Sequence, residues 1–298
     1  MAAPPRARRD PDAAWRWATL SPALFLMLAL GVLPVLNLVA LGFFDVRWAD
    51  GRSEWRFVGA AHYAALADDP LFRASIVNTV LFAIGAVIGQ MLLGFALALL
   101  CSKATRGRTF WRAVFILPVL IPGIVIGAMW KLLLNPDFGP VAQVMGAVGL
   151  PPVDWLGDPS TALLAVIIVD IWHWTPFCFL LFLAGLESLP QDVYEAAKVD
   201  GAGAWAELRH ITLPLMWPTI AVTFVFRLVL AFKVFDEVYL LTGGGPGTAT
   251  EVVSFTIYQR FFTEDRAGYG AAMSVAVIFL VFLMLAAAAA ARRRVQAA

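Results

Sequence analysis

The sequence predicts an all-α, polytopic membrane protein with six transmembrane helices, and three observations support this fold class. Of the 298 residues, 61% are hydrophobic and 14% are charged, whereas a soluble chain is about 45–50% apolar and about 25% charged. The apolar residues gather in six long runs, and a helix needs about 20 such residues to cross a bilayer. The alternating pattern of membrane β-strands is missing from these runs, so helices are expected to satisfy their backbone hydrogen bonds.

The same composition excludes several classes of protein. A soluble enzyme or a disordered chain would carry more polar residues, and the formal net charge of +1 gives no general attraction to nucleic acid. Cys101 and Cys178 are too few for a disulfide framework and lie in apolar runs. His62, His173 and His210 lack metal-ligand spacing. We therefore expect no cofactor, metal or catalytic residue in this chain.

The runs divide the chain into a head of residues 1–16, a membrane core of residues 17–291 and a tail of residues 292–298. Basic residues precede the first run, as in a secretory signal, but the run is too long and Pro34 and Asn37 occupy the expected cleavage region. The first run is therefore predicted to be a retained span. The six predicted spans are residues 17–44, 76–101, 110–134, 162–186, 215–241 and 270–291.

Polar residues and prolines in the second and third spans are expected to shape the fold rather than to bind a ligand. Asn78 and Gln90 in span two are predicted to form interhelical hydrogen bonds. Pro118 and Pro122 predict a bend in span three.

The distribution of basic residues predicts that both termini are cytoplasmic. Thirteen Lys and Arg residues lie in the head, the tail and the two loops that this orientation places inside, against six in the outer loops. Lys and Arg favour the cytoplasmic side of a membrane protein.

The loop between spans four and five, residues 187–214, is called the inner loop below. Pro190, followed closely by Asp192, is typical of a helix start, and Gly201 predicts the end of that helix. A second short helix is expected over about 204–210, running on through Leu213 and Pro214 into span five. An amphipathic helix on the membrane surface is the alternative interpretation, but such helices prefer Lys and Arg on their polar face.

One motif of small, acidic and apolar residues runs through the inner loop. It consists of Glu195, Ala196, Ala197, Asp200, Gly201, Ala202, Ile211, Leu213 and Pro214. This motif resembles the EAA loop of permease subunits of bacterial ABC importers. In that family the loop forms the coupling helix, which sits in a groove of the cytoplasmic ATPase. The resemblance implies a coupling helix over about 191–205.

A second motif begins in span five and continues through the following loop. It comprises residues 235–246, with Thr250, Glu251, Tyr258 and residues 269–272. It resembles the carbohydrate branch of the family, of the maltose, trehalose and glycerol-phosphate type. The resemblance implies a heterodimer with a second permease, two ATPase copies that hold ATP and magnesium, an external solute-binding protein, a carbohydrate substrate and a bacterial inner membrane.

The loop of residues 242–250, called the outer loop below, is rich in glycine. It contains Gly243, Gly244, Gly245 and Pro246. The run lacks the Lys and Ser or Thr of a phosphate-binding loop, so a tight exposed turn with positive φ angles is favoured. In the family this loop lies near the docked binding protein, which makes the four residues candidate contacts.

Span five carries several ionisable side chains. Arg227 lies near the expected midplane, where insertion costs about 2.5–3.5 kcal/mol. Lys233, Asp236 and Glu237 follow, and a continuous helix would place them on one face. We expect Lys233 to pair with Asp236 or Glu237. Arg227 has no local partner, so it is expected either to line a cavity or to contact the partner permease.

Span four contains Asp170 and Trp174, one helical turn apart. Carboxylates bind hydroxyl pairs and aromatic faces stack on sugars, so both residues are candidates for a substrate path with the four charged residues of span five. Pro176 is expected to kink the helix. Packing is the favoured interpretation of Trp172 and His173.

Together these patterns predict the permease subunit of an ATP-driven importer for a sugar or related polyol, with ATP hydrolysed on another chain. A stand-alone secondary transporter or channel is the alternative, in which the intramembrane charges form an ion path. The lack of a detectable repeat pair disfavours that alternative, and it leaves the inner loop without a use.

Overall fold

The computed structural model describes residues 13–49, 52–103 and 107–297. These residues form two compact units, of which one holds residues up to 67 together with 260–280, and the other holds 68–259 and the residues from 281 on. The α-helices are α1 (Ala13–Met27), α2 (Leu33–Leu41), α3 (Ala61–Leu66), α4 (Pro70–Lys103), α5 (Arg108–Ile116), α6 (Gly123–Leu133), α7 (Pro140–Ala147), α8 (Ala162–Glu187), α9 (Gln191–Val199), α10 (Ala204–Glu207), α11 (Leu213–Ala231), α12 (Asp236–Leu241), α13 (Val253–Tyr258) and α14 (Ala267–Ala297). The strands are β1 (Phe44–Ala49) and β2 (Arg52–Phe57). Three π-helical segments cover Leu28–Val32, Leu208–Thr212 and Gln259–Thr263, and a 3-10 helix covers Leu117–Leu120.

The predicted spans correspond to apolar helices, which confirms the all-α fold class. Five helices of the described chain are long and apolar enough to cross a membrane, and there are six if a bent pair of helices is counted as one span. The five are Trp15–Leu41, Pro70–Lys103, Ala162–Glu187, Ala204–Ala231 and Ala267–Ala287. The bent pair is Thr109–Leu120 with Gly123–Leu133.

The third span is broken by 95° where its two prolines lie. Pro118 is in the 3-10 helix, and Ile121 has extended backbone angles (φ −84°, ψ 128°) directly before Pro122. A residue that precedes proline is pushed out of the helical region by the proline ring. The bend that Pro118 and Pro122 predict is therefore confirmed. Helix α8, in contrast, continues as one helix through Pro176.

The prediction of one continuous helix over residues 215–241 is wrong. Helix α11 ends at Ala231, and α12 starts at Asp236 after a short turn. The carbonyl of Val234, which the break leaves without a helical partner, accepts a hydrogen bond from Ser254 Oγ. Helix α12 packs against α6, where a Cβ atom at Gly127 would lie 2.7 Å from Leu240 Cβ. Tertiary contacts thus override a locally helical sequence.

The first unit contains a β-hairpin that the sequence interpretation missed. Strands β1 and β2 are antiparallel, and the ladder places Asp45 opposite Arg56 and Arg47 opposite Glu54. Opposite charges across two strands stabilise such a pair. Because β1 starts at Phe44, the first membrane helix ends earlier than predicted, at Leu41.

In the second unit, α4 and α8 form the most extensive contact between helices. Gly94 lets them approach closely, because a Cβ atom there would meet Cys178 Cβ at 2.7 Å. Small residues serve this purpose in membrane helices. Cys101 and Cys178 are free and buried in this interface, as expected for small embedded residues. The packed contact fixes α8, which carries much of the candidate site.

Candidate functional site

A buried polar cluster joins three helices of the second unit. Arg227 of α11 donates from Nε to Gln90 Oε1 of α4 at 2.7 Å and from Nη2 to Asp170 Oδ2 of α8 at 3.2 Å. Gln90 Nε2 donates in turn to Asp170 Oδ2 at 2.6 Å and to its backbone carbonyl at 3.0 Å. At most 2% of each residue is exposed. A charge inside a bilayer is stable only with such partners.

This cluster bears on two predictions. Arg227 has no local partner, as expected, but it is paired within the chain by two other helices, and it lines a cavity, which was one of its two expected roles. Gln90 makes the interhelical hydrogen bonds expected of it. The Arg227 guanidinium also lies 4.6 Å from the ring centre of Trp174, so it occupies one face of the ring that was expected to stack on a sugar.

A second buried pair connects α8 with α12. His173 Nδ1 and Glu237 Oε1 lie 3.0 Å apart, and both side chains are buried. The predicted pairing of Lys233 with Glu237 or Asp236 is therefore wrong, because the helix break places Glu237 against α8. Among the described residues, neither Lys233 nor Asp236 makes an ion pair, and both are exposed. The expectation of simple packing holds for Trp172, which contacts Trp130, but not for His173.

The two buried pairs border one cavity of about 250 Å³. Helices α8, α11 and α12 supply most of its lining. The lining includes all six residues that the sequence proposes for a substrate path, together with His173: Asp170, His173, Trp174, Arg227, Lys233, Asp236 and Glu237. Their role in such a path stays a prediction. Across residues 13–49, 52–103 and 107–297, no cluster of His, Cys, Asp or Glu is arranged to hold a metal ion.

The inner loop folds largely as predicted. Helix α9 starts after Pro190 and is followed by Gly201 with φ +78°. The second helix runs into span five as predicted, since α10 continues through the π segment into α11.

The side chains of the motif lie at or near the surface of the inner loop. Some of these residues are exposed and the others are half-buried. The exposed group is Glu195, Ala196, Asp200, Gly201, Leu213 and Pro214, and the half-buried group is Ala197, Ala202 and Ile211. Two large apolar side chains of the same loop are also exposed, Val199 at 88% and Trp205 at 71%.

The outer loop contains the predicted turn but is less exposed than expected. Gly243 and Gly244 have positive φ angles, yet Gly244 is buried. Asn78 Nδ2 donates to the carbonyls of Thr248 at 2.8 Å and Glu251 at 3.0 Å. Asn78 therefore anchors this loop to α4, where an interhelical bond was predicted.

Comparison with known proteins identifies the family. Residues 71–297 match the model of the binding-protein-dependent transport system inner membrane component family. The chain belongs to this family. The match starts in α4 and includes every residue of the polar cluster, the cavity and both loops.

Relatives of the permease share nearly its whole length. A probable ABC transporter permease protein of Bacillus subtilis is 37% identical over 269 residues, 89% of this chain and 91% of that protein. The trehalose/maltose transport system permease protein MalF of Thermococcus litoralis is 36% identical over 261 residues, 87% of each chain.

Solved structures agree with this membership. A chain of a bacterial ABC transporter involved in the import of the acidic polysaccharide alginate is 26% identical, with a TM-score of 0.83, covering 94% of the permease and 96% of that chain. A chain of an alginate transporter in complex with a pentasaccharide-bound periplasmic protein is 25% identical, with the same TM-score and 95% coverage of each chain. The permease is thus a multi-pass inner-membrane component of a transport system that depends on a binding protein.

One cavity feature, the pairing of His173 with Glu237, escaped sequence reasoning. His173 and Glu237 are 64 residues apart, so no local spacing links them. The sequence did carry one chemical signal for such pairing. Ionisable residues inside apolar spans require polar partners, and spans two, four and five contain side chains that can pair with each other.

Proposed function

We propose that this permease moves a sugar or related polyol, delivered by an external solute-binding protein, through a complex driven by ATP hydrolysis on partner subunits. The complex contains a second, similar permease and two ATPase copies, which bind ATP and magnesium, so this chain needs no cofactor and is not an enzyme. Both termini are cytoplasmic. The observation that carries the proposal is the exposed helix α9, whose nine residues include none that is buried.

The inner loop is suited to dock on another protein. Val199 and Trp205 present large apolar side chains to the outside of the chain, and a docked protein would cover them. The small side chains of Ala196 and Ala197 permit close approach, while the exposed carboxylate of Glu195 fixes the register. We assign this surface to the ATPase and assign Gly243, Gly244, Gly245 and Pro246 of the outer loop to the binding protein.

The cavity is suited to an uncharged ligand rich in hydroxyl groups. Arg227 is already bound to Asp170 and Gln90, so it positions Asp170 and Trp174 instead of binding an anion. The charges open to a ligand are those of Lys233 and Asp236, which have opposite signs. With three carboxylates and two permanent cations in the lining, the cavity has no positive surplus for an acidic sugar.

Copurification tests the proposal. We expect a tagged permease to carry with it an ATPase and a second permease, and Glu195→Lys to weaken ATPase association because it reverses the docking charge. Asp137→Lys, at an exposed position of the loop before α7, is the matched control. Uptake should require ATP in proteoliposomes, using a sugar identified by thermal-shift screening of the cognate binding protein.

Two results contradict this proposal. Undiminished ATPase association of Glu195→Lys would argue against the docking surface. ATP-independent uptake by the permease alone would favour a secondary transporter.

A further inference from the structure

Helix α9 contacts the membrane helices through one side-chain hydrogen bond. Tyr194 Oη lies 3.1 Å from Thr212 Oγ1. Within the described part of the chain, no other side chain of α9 forms a hydrogen bond or an ion pair with another element. Tyr194 is half-buried, while Thr212 is 4% exposed.

The direction of this hydrogen bond follows from a second contact. Thr212 Oγ1 donates to the backbone carbonyl of Glu207 at 3.3 Å. A hydroxyl has a single hydrogen, so Thr212 accepts from Tyr194. Two successive hydrogen bonds thus connect α9 through Thr212 to α10. Thr212 lies at the point where the π segment Leu208–Thr212 meets α11.

A parallel contact connects the inner loop to α4. Lys103 Nζ at the end of α4 lies 3.6 Å from Glu207 Oε1. Lys103 is well exposed, so this ion pair is weak by itself. Helices α4 and α11 are the two that supply Gln90 and Arg227 to the buried cluster. The first contact therefore lies within the inner loop and ends where its last segment joins α11, and the second joins the inner loop to α4, which supplies Gln90 to the buried cluster.

The covalent connection from α9 to α11 is poorly suited to transmit movement. It passes through Gly201 and Gly203, and glycine is the residue with the greatest backbone freedom. Gly201 has φ +78°, and a Cβ atom at either glycine would meet nothing within 4 Å. Backbone hydrogen bonds hold Ala202 to Ala197 of α9 and Glu207 to Gly203, so the free part of the connection lies between Ala202 and Gly203, and the hydrogen bond of Tyr194 with Thr212 bridges it.

We propose that Tyr194 and Thr212 are positioning residues that pass movement of α9 to α11 across this connection. The inference rests on the proposed function, in which α9 docks on the ATPase. Without the hydrogen bond of Tyr194 with Thr212, the ATPase still docks and hydrolyses ATP. Binding-protein docking on the outer side of the permease then no longer controls the rate of ATP hydrolysis.

The test uses the complete transporter in proteoliposomes with its purified cognate binding protein. Three quantities are measured: ATPase copurification, basal ATP hydrolysis and the factor by which the binding protein stimulates hydrolysis. We expect Tyr194→Phe and Thr212→Val each to lower the stimulation factor about two- to tenfold, the equilibrium effect of one hydrogen bond. The double variant should fall no further, because both single changes break the same bond. Copurification and basal hydrolysis should stay at wild-type values.

Two matched variants control for nonspecific damage. Tyr63→Phe removes a buried tyrosine hydroxyl that has no hydrogen-bond partner among the described residues, and its stimulation should be normal. Thr212→Ser keeps the hydroxyl, so its stimulation factor should be close to the wild-type value. The inference therefore stays testable even if Thr212→Val fails to fold.

Each possible result is decisive. Normal stimulation in Tyr194→Phe overturns the inference while the proposed function stands. Loss of ATPase association in Tyr194→Phe also overturns it, since Tyr194 would then be a docking residue. If Glu195→Lys leaves association intact, the docking proposal fails instead.

Discussion

The buried pair of Arg227 and Asp170 allows a quantitative test of what holds the membrane core together. We consider Arg227→Met, Asp170→Leu and the double variant. Each single change leaves one charge buried without its partner, which costs about 3–5 kcal/mol. The double variant removes both charges, and replacing a whole buried pair with apolar residues is often neutral or stabilising by about 1–4 kcal/mol. Gln90 still donates to the backbone carbonyl of residue 170.

These magnitudes are large beside the net stability of a folded protein, which is about 5–15 kcal/mol. Each single variant should therefore melt well below the wild type, and the double variant should melt near it. Thermal unfolding is followed with a thiol-reactive fluorophore, because Cys101 and Cys178 are free and buried until the helices separate. Arg47→Met is the control, since Arg47 is 78% exposed in its ion pair and such changes stay within about 0.5 kcal/mol.

Additive effects in the double variant would refute this reasoning. The coupling energy between the two positions would then be close to zero, and the two charges would not depend on each other. A loss in Arg227→Met no greater than in Arg47→Met would refute it as well.

Two further predictions concern the outer loop and the cavity. Asn78→Leu removes two hydrogen bonds, each contributing about 1 kcal/mol. The factor by which the binding protein stimulates ATP hydrolysis should fall, while the ATPase should still copurify. Unchanged stimulation would contradict an anchoring role of Asn78. Lys233→Gln should leave the free energy of unfolding within about 0.5 kcal/mol of the wild-type value, because Lys233 makes no ion pair among the described residues, yet it should change the KM for sugar uptake. An unchanged KM would remove Lys233 from the substrate path.

Local signals made much of the fold predictable. Apolar runs located the spans, Pro118 and Pro122 located the bend, and Pro190 and Gly201 located the ends of α9. Each of these features depends on neighbours a few residues away, where backbone sterics decide the structure. The inner loop was therefore the best-predicted part of the candidate site.

Distant contacts made the rest unpredictable. Arg227 finds Asp170 and Gln90 at sequence separations of 57 and 137 residues, so helical spacing within span five gave no guidance. The break after Ala231 has no proline or glycine to mark it, and it depends on Ser254 and on packing against α6. Once that break was missed, Lys233 and Glu237 were assigned to the wrong common face.

The π segments have a consequence for how positions along these helices are compared. A π turn holds about one residue more than an α turn, and one residue corresponds to about 100° of rotation and about 1.5 Å of rise. Side chains before and after Leu208–Thr212 therefore follow two helical wheels with different phases, and the same applies around Leu28–Val32. A single wheel drawn from Ala204 to Ala231 assigns one end of the helix to the wrong neighbours. Labelling patterns and aligned sequences along this helix are read correctly only with a one-residue offset at Thr212.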